Sequence, residues 1–265
     1  MPRVTVIMAT YNWSTVLPYS IGSVLAQTFT DFELLVIGDG CTDDSEAVVK
    51  SIEDPRVQWI NIARTGHQFG PNNEGIRRAR GEFIAYLGHD DLWLPHHLAL
   101  HVARAADFTC SIAALIYPDS TIERTHPDER FTRWVPPSTF VHRRSLDITW
   151  RDYRELSEPP ERRLVLDVVK SGAGTGVIPR LTVLKFPASV RRNVYRERPA
   201  HEQAAWLERV RTEPDLEPAL LGRLLLHPAP HHMWRFLREP SQWWAFIWRR
   251  GGNRIRARKR FKGVD

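Results

Sequence analysis

The stretch VTVIMA, residues 4–9, is an unbroken run of apolar and β-branched residues. Such a run predicts a β-strand that is buried on both faces, as strands of a parallel sheet are. The polar residues TYNW follow it, and apolar residues then recur at helical spacing from residue 17 to residue 25. We therefore expect a helix after the strand, with Ser14 or Thr15 as its N-terminal cap.

The same alternation of strand and helix continues through the first ninety residues. Strands are predicted at FELLVIG (32–38), VQWINI (57–62) and EFIAYLG (82–88). Helices are predicted at TDDSEAVVKSI (42–52) and PNNEGIRRAR (71–80). This order indicates an α/β fold with a Rossmann-like, mostly parallel sheet flanked by helices. Folds of this kind bind their ligands beyond the carboxyl ends of the strands.

Polar side chains lie at three of these strand ends. Residues 10–12 (Thr-Tyr-Asn) follow the first strand, Asp39 follows the second, and Asp90 and Asp91 follow the fourth. Two neighbouring carboxylates repel each other unless something neutralises them. A divalent metal ion is the usual solution, because hard cations prefer carboxylate oxygens.

Four blocks of sequence, in order, resemble glycosyltransferase family 2. They are VTVIMATYNW, IGDGCTDDS, NEGIRRARGEFIAYL and GHDDLWLP. The resemblance covers residues 3–98 well and extends weakly to about residue 190. It implies a GT-A type fold and an inverting transfer of sugar from a nucleotide diphosphate sugar.

The resemblance also implies roles for individual residues. Tyr11 would stack on or flank the nucleotide base, Asp39 would hydrogen-bond the base, and Asp90 would approach the ribose. Asp91 would bind a Mg²⁺ or Mn²⁺ ion on the diphosphate. The full set that it assigns to donor binding is Thr10, Tyr11, Asn12, Asp39, Asn73 and Asp90.

The sequence departs from the family pattern at several positions of these blocks. Gly38 stands where the family has the first Asp of an Asp-Asp-Gly-Ser turn, and Cys41 stands where it has the Ser. Gly88 and His89 occupy places where an earlier Asp is common. His89 is either an additional metal ligand or a residue of the cleft wall.

An inverting transfer needs a general base that deprotonates the acceptor hydroxyl. The resemblance implies a carboxylate at the start of a helix in the second half of the domain, which corresponds to ERRLVLDVVKSG, residues 161–172. Glu161 is the first candidate and Asp152 the second. Glu158 and Asp167 are further alternatives, because the resemblance implies that Arg163 occupies the position where some family members carry Asp.

The chain is expected to divide at about residue 190. Residues 1–190 would form the GT-A domain, with a nucleotide-binding half (1–98) and an acceptor half (99–190). Residues 191–265 would be a helical extension rich in Trp and Arg. Its stretch 243–262 combines Trp residues with a basic cluster, which suits an anionic membrane surface. His231 and His232 are weak additional candidates for a metal ligand.

Composition sets outer limits on function. The chain has 265 residues, 42% hydrophobic content and a net charge of +6, so an acidic partner is plausible. Its two cysteines make no disulfide framework, and no window has the ~20 apolar residues of a membrane span. With no signal-like N-terminus, we expect a cytoplasmic protein that can be held peripherally at the inner face of the membrane.

Other classes of function remain open from the sequence. The acceptor would be lipid-linked or a polysaccharide, but neither it nor the sugar can be named. A non-catalytic relative that binds nucleotide and acts as a partner protein is one alternative. A basic nucleic-acid-binding protein is another, although no nucleic-acid motif is present and nucleic acid is an unlikely partner. A dinucleotide-binding oxidoreductase is disfavoured, since no Gly-rich loop follows the first strand.

Overall fold

The computed structural model describes residues 1–125, 127–128, 131 and 133–226. Within them the strands are β1 (Val4–Thr10), β2 (Phe32–Asp39), β3 (Val57–Ile62), β4 (Phe83–Tyr86), β5 (Leu92–Trp93), β6 (Phe108–Ile116), β7 (Ile122–Arg124), β8 (Val141–Arg143) and β9 (Thr175–Lys185). The helices are α1 (Leu17–Leu25), α2 (Ser45–Lys50), α3 (Phe69–Arg78), α4 (His97–Arg104), α5 (Pro160–Lys170), α6 (Val194–Glu197), α7 (His201–Thr212) and α8 (Leu216–Leu226). The predicted strands and helices of the first ninety residues are therefore confirmed, with shifts of a few residues at their ends.

One mixed sheet contains all of these strands, in the order β3-β2-β1-β4-β8-β6-β9-β5, with β7 beside β6. Strands β1 to β4 pair in parallel, so their carboxyl ends lie at one edge. Strand β8 is antiparallel to both β4 and β6, and β5 is antiparallel to β9. Residues 4–86 therefore build a four-stranded parallel part, and the later strands extend the sheet from β4, with β6 and β9 pairing in parallel.

Helices cover both faces of β1, which explains its unbroken apolar sequence. Val4, Val6 and Met8 point to one face and pack in a buried cluster with α1. Ile7 points to the other face, where Gly75 of α3 comes so close that a Cβ atom there would lie 2.6 Å from Ile7 Cγ2. Each such fully buried aliphatic side chain contributes ~1.5–3 kcal/mol to folding.

The predicted N-terminal cap of α1 is wrong. Helix α1 begins one turn later than Ser14, with Val16 in the cap position and no side-chain cap. The Ser14 backbone N–H donates to Asp43, and the Thr15 hydroxyl donates to the carbonyl of Arg198. Both residues therefore hold neighbouring segments, and Pro18 in the first turn needs no hydrogen-bond acceptor for its nitrogen.

The described residues after 190 pack on the far part of the sheet. Leu207 and Val210 of α7 and Leu220 and Leu224 of α8 share one buried cluster with side chains of β5, β6 and β9. Residues Met1–Leu226 form a single compact unit, so the described part of the predicted extension shares the core of the GT-A domain. The basic stretch 243–262 lies outside the described residues, as do His231 and His232.

Candidate active site

The carboxyl ends of β1, β2 and β4 lie side by side, as expected for a ligand-binding edge. Thr10 of β1 lies opposite Gly38 of β2, and Ile7 of β1 lies opposite Tyr86 of β4. The loops that leave these three strands therefore meet beyond the same edge. They carry most of the donor-binding residues predicted from the sequence.

Asn12 joins the loop after β1 to the loop after β2. It adopts a left-handed conformation with φ of 46°, which Asn tolerates better than most residues. Its Oδ1 accepts from the backbone N–H groups of Thr42 (2.7 Å) and Asp43 (3.3 Å), and its Nδ2 donates to the Thr42 hydroxyl (3.2 Å). The side chain of this predicted donor-binding residue therefore braces the two loops.

Gly38 and Cys41, which depart from the family pattern, pack against each other. A Cβ atom at Gly38 would lie 2.7 Å from Asn61 Oδ1, 2.8 Å from the Trp59 ring and 3.0 Å from Cys41 Sγ. The Cys41 sulfur also accepts from the backbone N–H of Asn12 (3.3 Å), and burial raises the pKa of its thiol. The larger sulfur fills the space that a side chain at position 38 would otherwise take.

The loop after β3 folds over Tyr11 and Asp39. The Arg64 guanidinium lies over the Tyr11 ring, 3.4 Å from its centroid. Asp39 Oδ1 accepts from the Thr65 backbone N–H (2.6 Å) and hydroxyl (2.8 Å), and its Oδ2 accepts from the Gly66 N–H (2.8 Å). The two residues predicted to contact the nucleotide base thus hold the loop that carries Arg64.

The adjacent aspartates point to different surroundings. Residues 88–91 form a tight turn, closed by a hydrogen bond from the Asp91 N–H to the Gly88 carbonyl (3.0 Å). Asp91 is fully buried, whereas Asp90 keeps 8% of its surface exposed. Across the described part of the chain, no side chain or backbone group hydrogen-bonds the Asp90 carboxylate. Only its backbone carbonyl is engaged, by Gln203 of α7 (3.1 Å).

Asp91 is held by residues that the sequence did not mark as functional. Lys185 Nζ, at the end of β9, lies 3.1 Å from both carboxylate oxygens. The Ser138 hydroxyl donates to Oδ2 (2.5 Å), and the Phe186 N–H donates to Oδ1 (3.3 Å). All these donors converge on one carboxylate, so the repulsion between the aspartates is relieved by an ammonium group.

The charge state of this pair follows from opposing effects. Burial raises the pKa of Asp91, and the ammonium group of Lys185 opposes that rise. Burial alone would lower the pKa of Lys185, but the carboxylates of Asp91 and Asp90 raise it above its usual value. Lys185 is therefore charged at neutral pH, and its ammonium group contacts Asp91 of the acidic turn.

His89 and Trp13 form the wall next to Asp90. His89 Nδ1 lies 3.0 Å from the Thr10 hydroxyl, and its ring meets the Trp13 ring edge-on at 5.1 Å. Burial lowers the pKa of His89, and Lys185 lowers it further against the opposing effect of Asp90. The ring of Tyr195, 63% exposed, lies 5.8 Å from Trp13.

The four candidate general bases differ in their partners. Asp152 is paired with Arg154, and Asp167 is paired with Arg163 and Arg151. Glu158 lies 3.6 Å from Arg163 and accepts from the Ser157 hydroxyl. Glu161, in the first turn of α5, accepts a neutral N–H, that of Trp134 (2.8 Å), and has no other hydrogen bond or ion pair among the described residues.

His67 is a cleft residue that the sequence did not indicate. Its ring lies 4.5 Å from that of Tyr153, and its Nδ1 is buried with no hydrogen-bond partner among the described residues. Burial lowers its pKa, while Glu161, Asp152 and Asp39 oppose the shift. His67 therefore lies in the field of carboxylates from both halves of the domain.

Asn73 is engaged by the backbone of Trp150. Its Nδ2 donates to the Trp150 carbonyl and its Oδ1 accepts from the Trp150 N–H, both at 2.8 Å. Both polar atoms of this predicted donor-binding residue therefore fasten α3 to the segment at Trp150.

No cluster of three or more His, Cys, Asp or Glu side chains suited to a metal ion occurs within the described ranges. Mg²⁺ in nucleotide sites is usually held by one or two carboxylates together with substrate phosphates. A single carboxylate without a protein partner could therefore hold such an ion at this edge, together with a diphosphate.

Comparison with known proteins gives consistent results. The family model described as "Glycosyl transferase family 2" matches residues 5–155. An Escherichia coli protein, the UDP-Glc:alpha-D-GlcNAc-diphosphoundecaprenol beta-1,3-glucosyltransferase WfgD, is 33% identical over 100 residues, which is 38% of this chain and 40% of that protein. This chain thus spans well under two thirds of that relative's length.

Solved structures show the same fold. Residues 1–349 of TarS from S. aureus, in complex with UDP-GlcNAc, match with a TM-score of 0.58 at 19% identity, covering 71% of this chain and 59% of that chain. The mannosyltransferase PcManGT from Pyrobaculum calidifontis, in complex with GDP-Man and Mn2+, matches with a TM-score of 0.55 at 16% identity, covering 93% and 84%. The predicted GT-A type fold is confirmed.

Proposed function

Because the chain belongs to glycosyl transferase family 2, we propose that it transfers a sugar from a nucleotide diphosphate sugar to an acceptor hydroxyl, with inversion at the anomeric carbon. One observation carries the proposal above the others. The ends of β1, β2 and β4 meet at one edge, and Asp90 presents a carboxylate there without a hydrogen-bond partner among the described residues.

The nucleoside end of the donor is proposed to lie at Tyr11 and Arg64. Their stacked planes form a flat surface that suits a nucleobase. Asp39 fixes the loop that carries Arg64 through its bonds to Thr65 and Gly66. Thr10 and Asn12 support the same surface from below, so the predicted donor-binding residues act here mainly by shaping the loops.

The diphosphate is proposed to lie at the acidic turn. Asp90 is the carboxylate free to hold a Mg²⁺ or Mn²⁺ ion together with phosphate oxygens, so we assign the metal contact to Asp90. Asp91, predicted from the sequence for this role, is instead assigned to holding Lys185. A cation at Asp90 would offset the negative charge that develops on the leaving diphosphate. Lys185 contributes positive charge to the same place.

Glu161 is proposed as the general base. Asp152 and Asp167 pair with arginines, and such pairing weakens a carboxylate as a proton acceptor. Glu161 removes the proton from the acceptor hydroxyl while the acceptor oxygen bonds to the anomeric carbon. The bond from that carbon to the donor phosphate oxygen breaks, and the nucleoside diphosphate leaves with the electron pair.

The acceptor is proposed to be a saccharide of a cell-surface glycolipid or polysaccharide. Support comes from the E. coli relative, which is named for transfer to a sugar on diphosphoundecaprenol. Peripheral contact with an anionic membrane through residues 243–262 would bring the enzyme to such an acceptor. Within the described chain, no helix has the length and apolar character needed to cross a membrane.

The test of the donor site is calorimetric titration. The full chain is titrated with UDP, GDP and their glucose, N-acetylglucosamine and mannose derivatives, in Mg²⁺, Mn²⁺ or EDTA. We expect one nucleotide to bind, at least tenfold more weakly in EDTA, and Asp90→Asn to remove the metal dependence. Glu161→Gln should bind the donor normally and lose transfer by ~10²–10⁴-fold. Failure of every nucleotide to bind would refute the proposal and favour a non-catalytic role.

A further inference from the structure

Trp134 contacts the proposed base and yet keeps much of its surface open. Its Nε1–H donates to Glu161 Oε1 (2.8 Å), while the side chain is 43% exposed. The other oxygen of Glu161, Oε2, has no partner in the part of the chain that the structure describes. The indole therefore fixes one oxygen of the carboxylate and leaves the other available for a proton.

The backbone around Trp134 is firmly placed. Phe131 and Val135, on either side of it, are 4% and 3% exposed and belong to one buried cluster. Pro136 and Pro137 follow, and they restrict the chain up to Ser138. An exposed indole on such a segment loses little side-chain entropy when a ligand binds to it.

The same short segment reaches the acidic turn. The Ser138 hydroxyl donates to Asp91 and accepts from the Gly88 N–H (3.0 Å). Four residues span at most about 14 Å when fully extended. The backbone of Trp134 therefore lies within about 14 Å of Ser138, which bonds to the turn where we place the donor diphosphate.

Exposed aromatic rings collect around this cleft. Among the described residues, the large exposed aromatic side chains are Tyr11, Trp134, Tyr153 and Tyr195. Tyr153, 47% exposed, packs against His67 with its ring tilted by 35°, and the His67 ring interacts electrostatically with Glu161. Besides Trp134, which contacts Glu161 directly, a second exposed ring is thus linked to the proposed base through His67.

We propose that Trp134 is the acceptor platform: its ring face stacks on the acceptor pyranose, and its N–H positions Glu161 against the acceptor hydroxyl. The C–H groups on one face of a pyranose complement the electron-rich face of an indole. The ligand class is therefore a saccharide terminus, and Trp134 acts on the proton transfer through Glu161. This inference rests on the proposed glycosyl transfer.

Binding is tested by saturation-transfer NMR of the full chain with methyl β-D-glucopyranoside and methyl N-acetyl-α-D-glucosaminide, in saturating nucleotide. We expect at least one glycoside to bind, Trp134→Phe to bind it within about twofold, and Trp134→Ala to weaken it at least tenfold. Trp206→Phe is the matched control, because that ring lies under Arg209 in a different cluster. No glycoside binding to the unaltered chain, or equal binding by Trp134→Ala, would overturn the proposal.

Positioning is tested by kinetics on the same variants. Trp134→Phe keeps an aromatic ring but removes the indole N–H. We therefore expect kcat to fall about tenfold or more, with the KM for the glycoside unchanged. Trp134→Ala should raise KM as well. An unchanged kcat in Trp134→Phe would refute the positioning role. If nucleotide itself fails to bind, the proposed function is wrong; if nucleotide binds and Trp134 is silent, only this inference is wrong.

Discussion

The two neighbouring aspartates should respond oppositely to the same substitution. Asp91→Asn keeps the size of the side chain but removes its negative charge. Asp91 is 0% exposed, and its carboxylate accepts hydrogen bonds from Ser138, Phe186 and Lys185. Breaking a buried pair by removing one partner costs ~3–5 kcal/mol, because the other charge is left uncompensated. The Lys185 side chain is 20% exposed and can turn towards water, so we expect about 3 kcal/mol, the lower end of that range.

Asp90→Asn should leave stability almost unchanged. Its carboxylate, although only 8% exposed, has no hydrogen-bond partner in the described chain, so exchanging it for an amide of the same size breaks none of the bonds that hold Asp91. The same variant should lose metal-dependent nucleotide binding by at least tenfold. Its neighbour Asp91→Asn, where it remains folded, should retain that metal dependence.

Urea unfolding of both variants measures the difference directly. In a thermal melt, a loss of 3 kcal/mol in the free energy of unfolding corresponds, for a chain of this size, to a fall of roughly 6–12 °C in melting temperature. Combining Asp91→Asn with Lys185→Met should cost at least ~1 kcal/mol less than the sum of the single variants, because both charges are then removed together. Equal stability of Asp90→Asn and Asp91→Asn, or strict additivity of the pair, would refute the reasoning.

Three further outcomes follow from other parts of the chain. Burial lowers the pKa of His101 to about 3 and of His142 to about 4. In the unfolded chain the pKa of each histidine is ~6.5, so the unfolded state binds protons before the folded state as the pH falls. Neither histidine destabilises the fold above that pH, and each lowers the free energy of unfolding by about 2 kcal/mol at pH 5. Urea unfolding at pH 7.5 and pH 5 measures this loss, and equal stability at both would contradict it. Gly38→Asp, which restores the family residue, should lower the free energy of unfolding by ~1–3 kcal/mol, because its Cβ would lie 2.7 Å from Asn61 Oδ1. Liposome flotation should show that the full chain binds anionic vesicles at low salt and a chain ending at residue 226 does not; equal flotation would rule out a membrane role for residues 227–265.

The parallel half of the sheet could be predicted because its physics is local. A strand covered on both faces is mostly apolar, and VTVIMA and FELLVIG show this within six or seven residues; their polar members Thr5 and Glu33 are buried and hydrogen-bonded to each other. Strand ends then locate the ligand edge without any knowledge of long-range contacts. The predicted helix cap was wrong for the opposite reason, because it depended on long-range contacts. Ser14 and Thr15 bond to Asp43 and Arg198 instead, and sequence spacing does not reveal those partners.

The partners of the site residues could not be predicted, because each lies far along the chain. Asp39 is engaged by a loop 26 residues later, and Glu161 by an indole 27 residues earlier. A local pattern reports which side chains reach a strand end, but it does not report which of them remain unpaired there. Assigning a role therefore required the contacts made by each carboxylate.

The acidic turn shows why two identical neighbours must differ. The turn closed from the Asp91 N–H to the Gly88 carbonyl places the two carboxylates in different surroundings, with Asp91 fully buried and Asp90 8% exposed. Burial of the Asp91 charge is tolerable only beside a positive charge. Lys185, 94 residues later in the chain, supplies that charge. Asp91 is thereby paired inside the protein, whereas Asp90 keeps 8% of its surface exposed and has no hydrogen-bond partner for its carboxylate among the described residues, which is why we propose Asp90 for the metal contact.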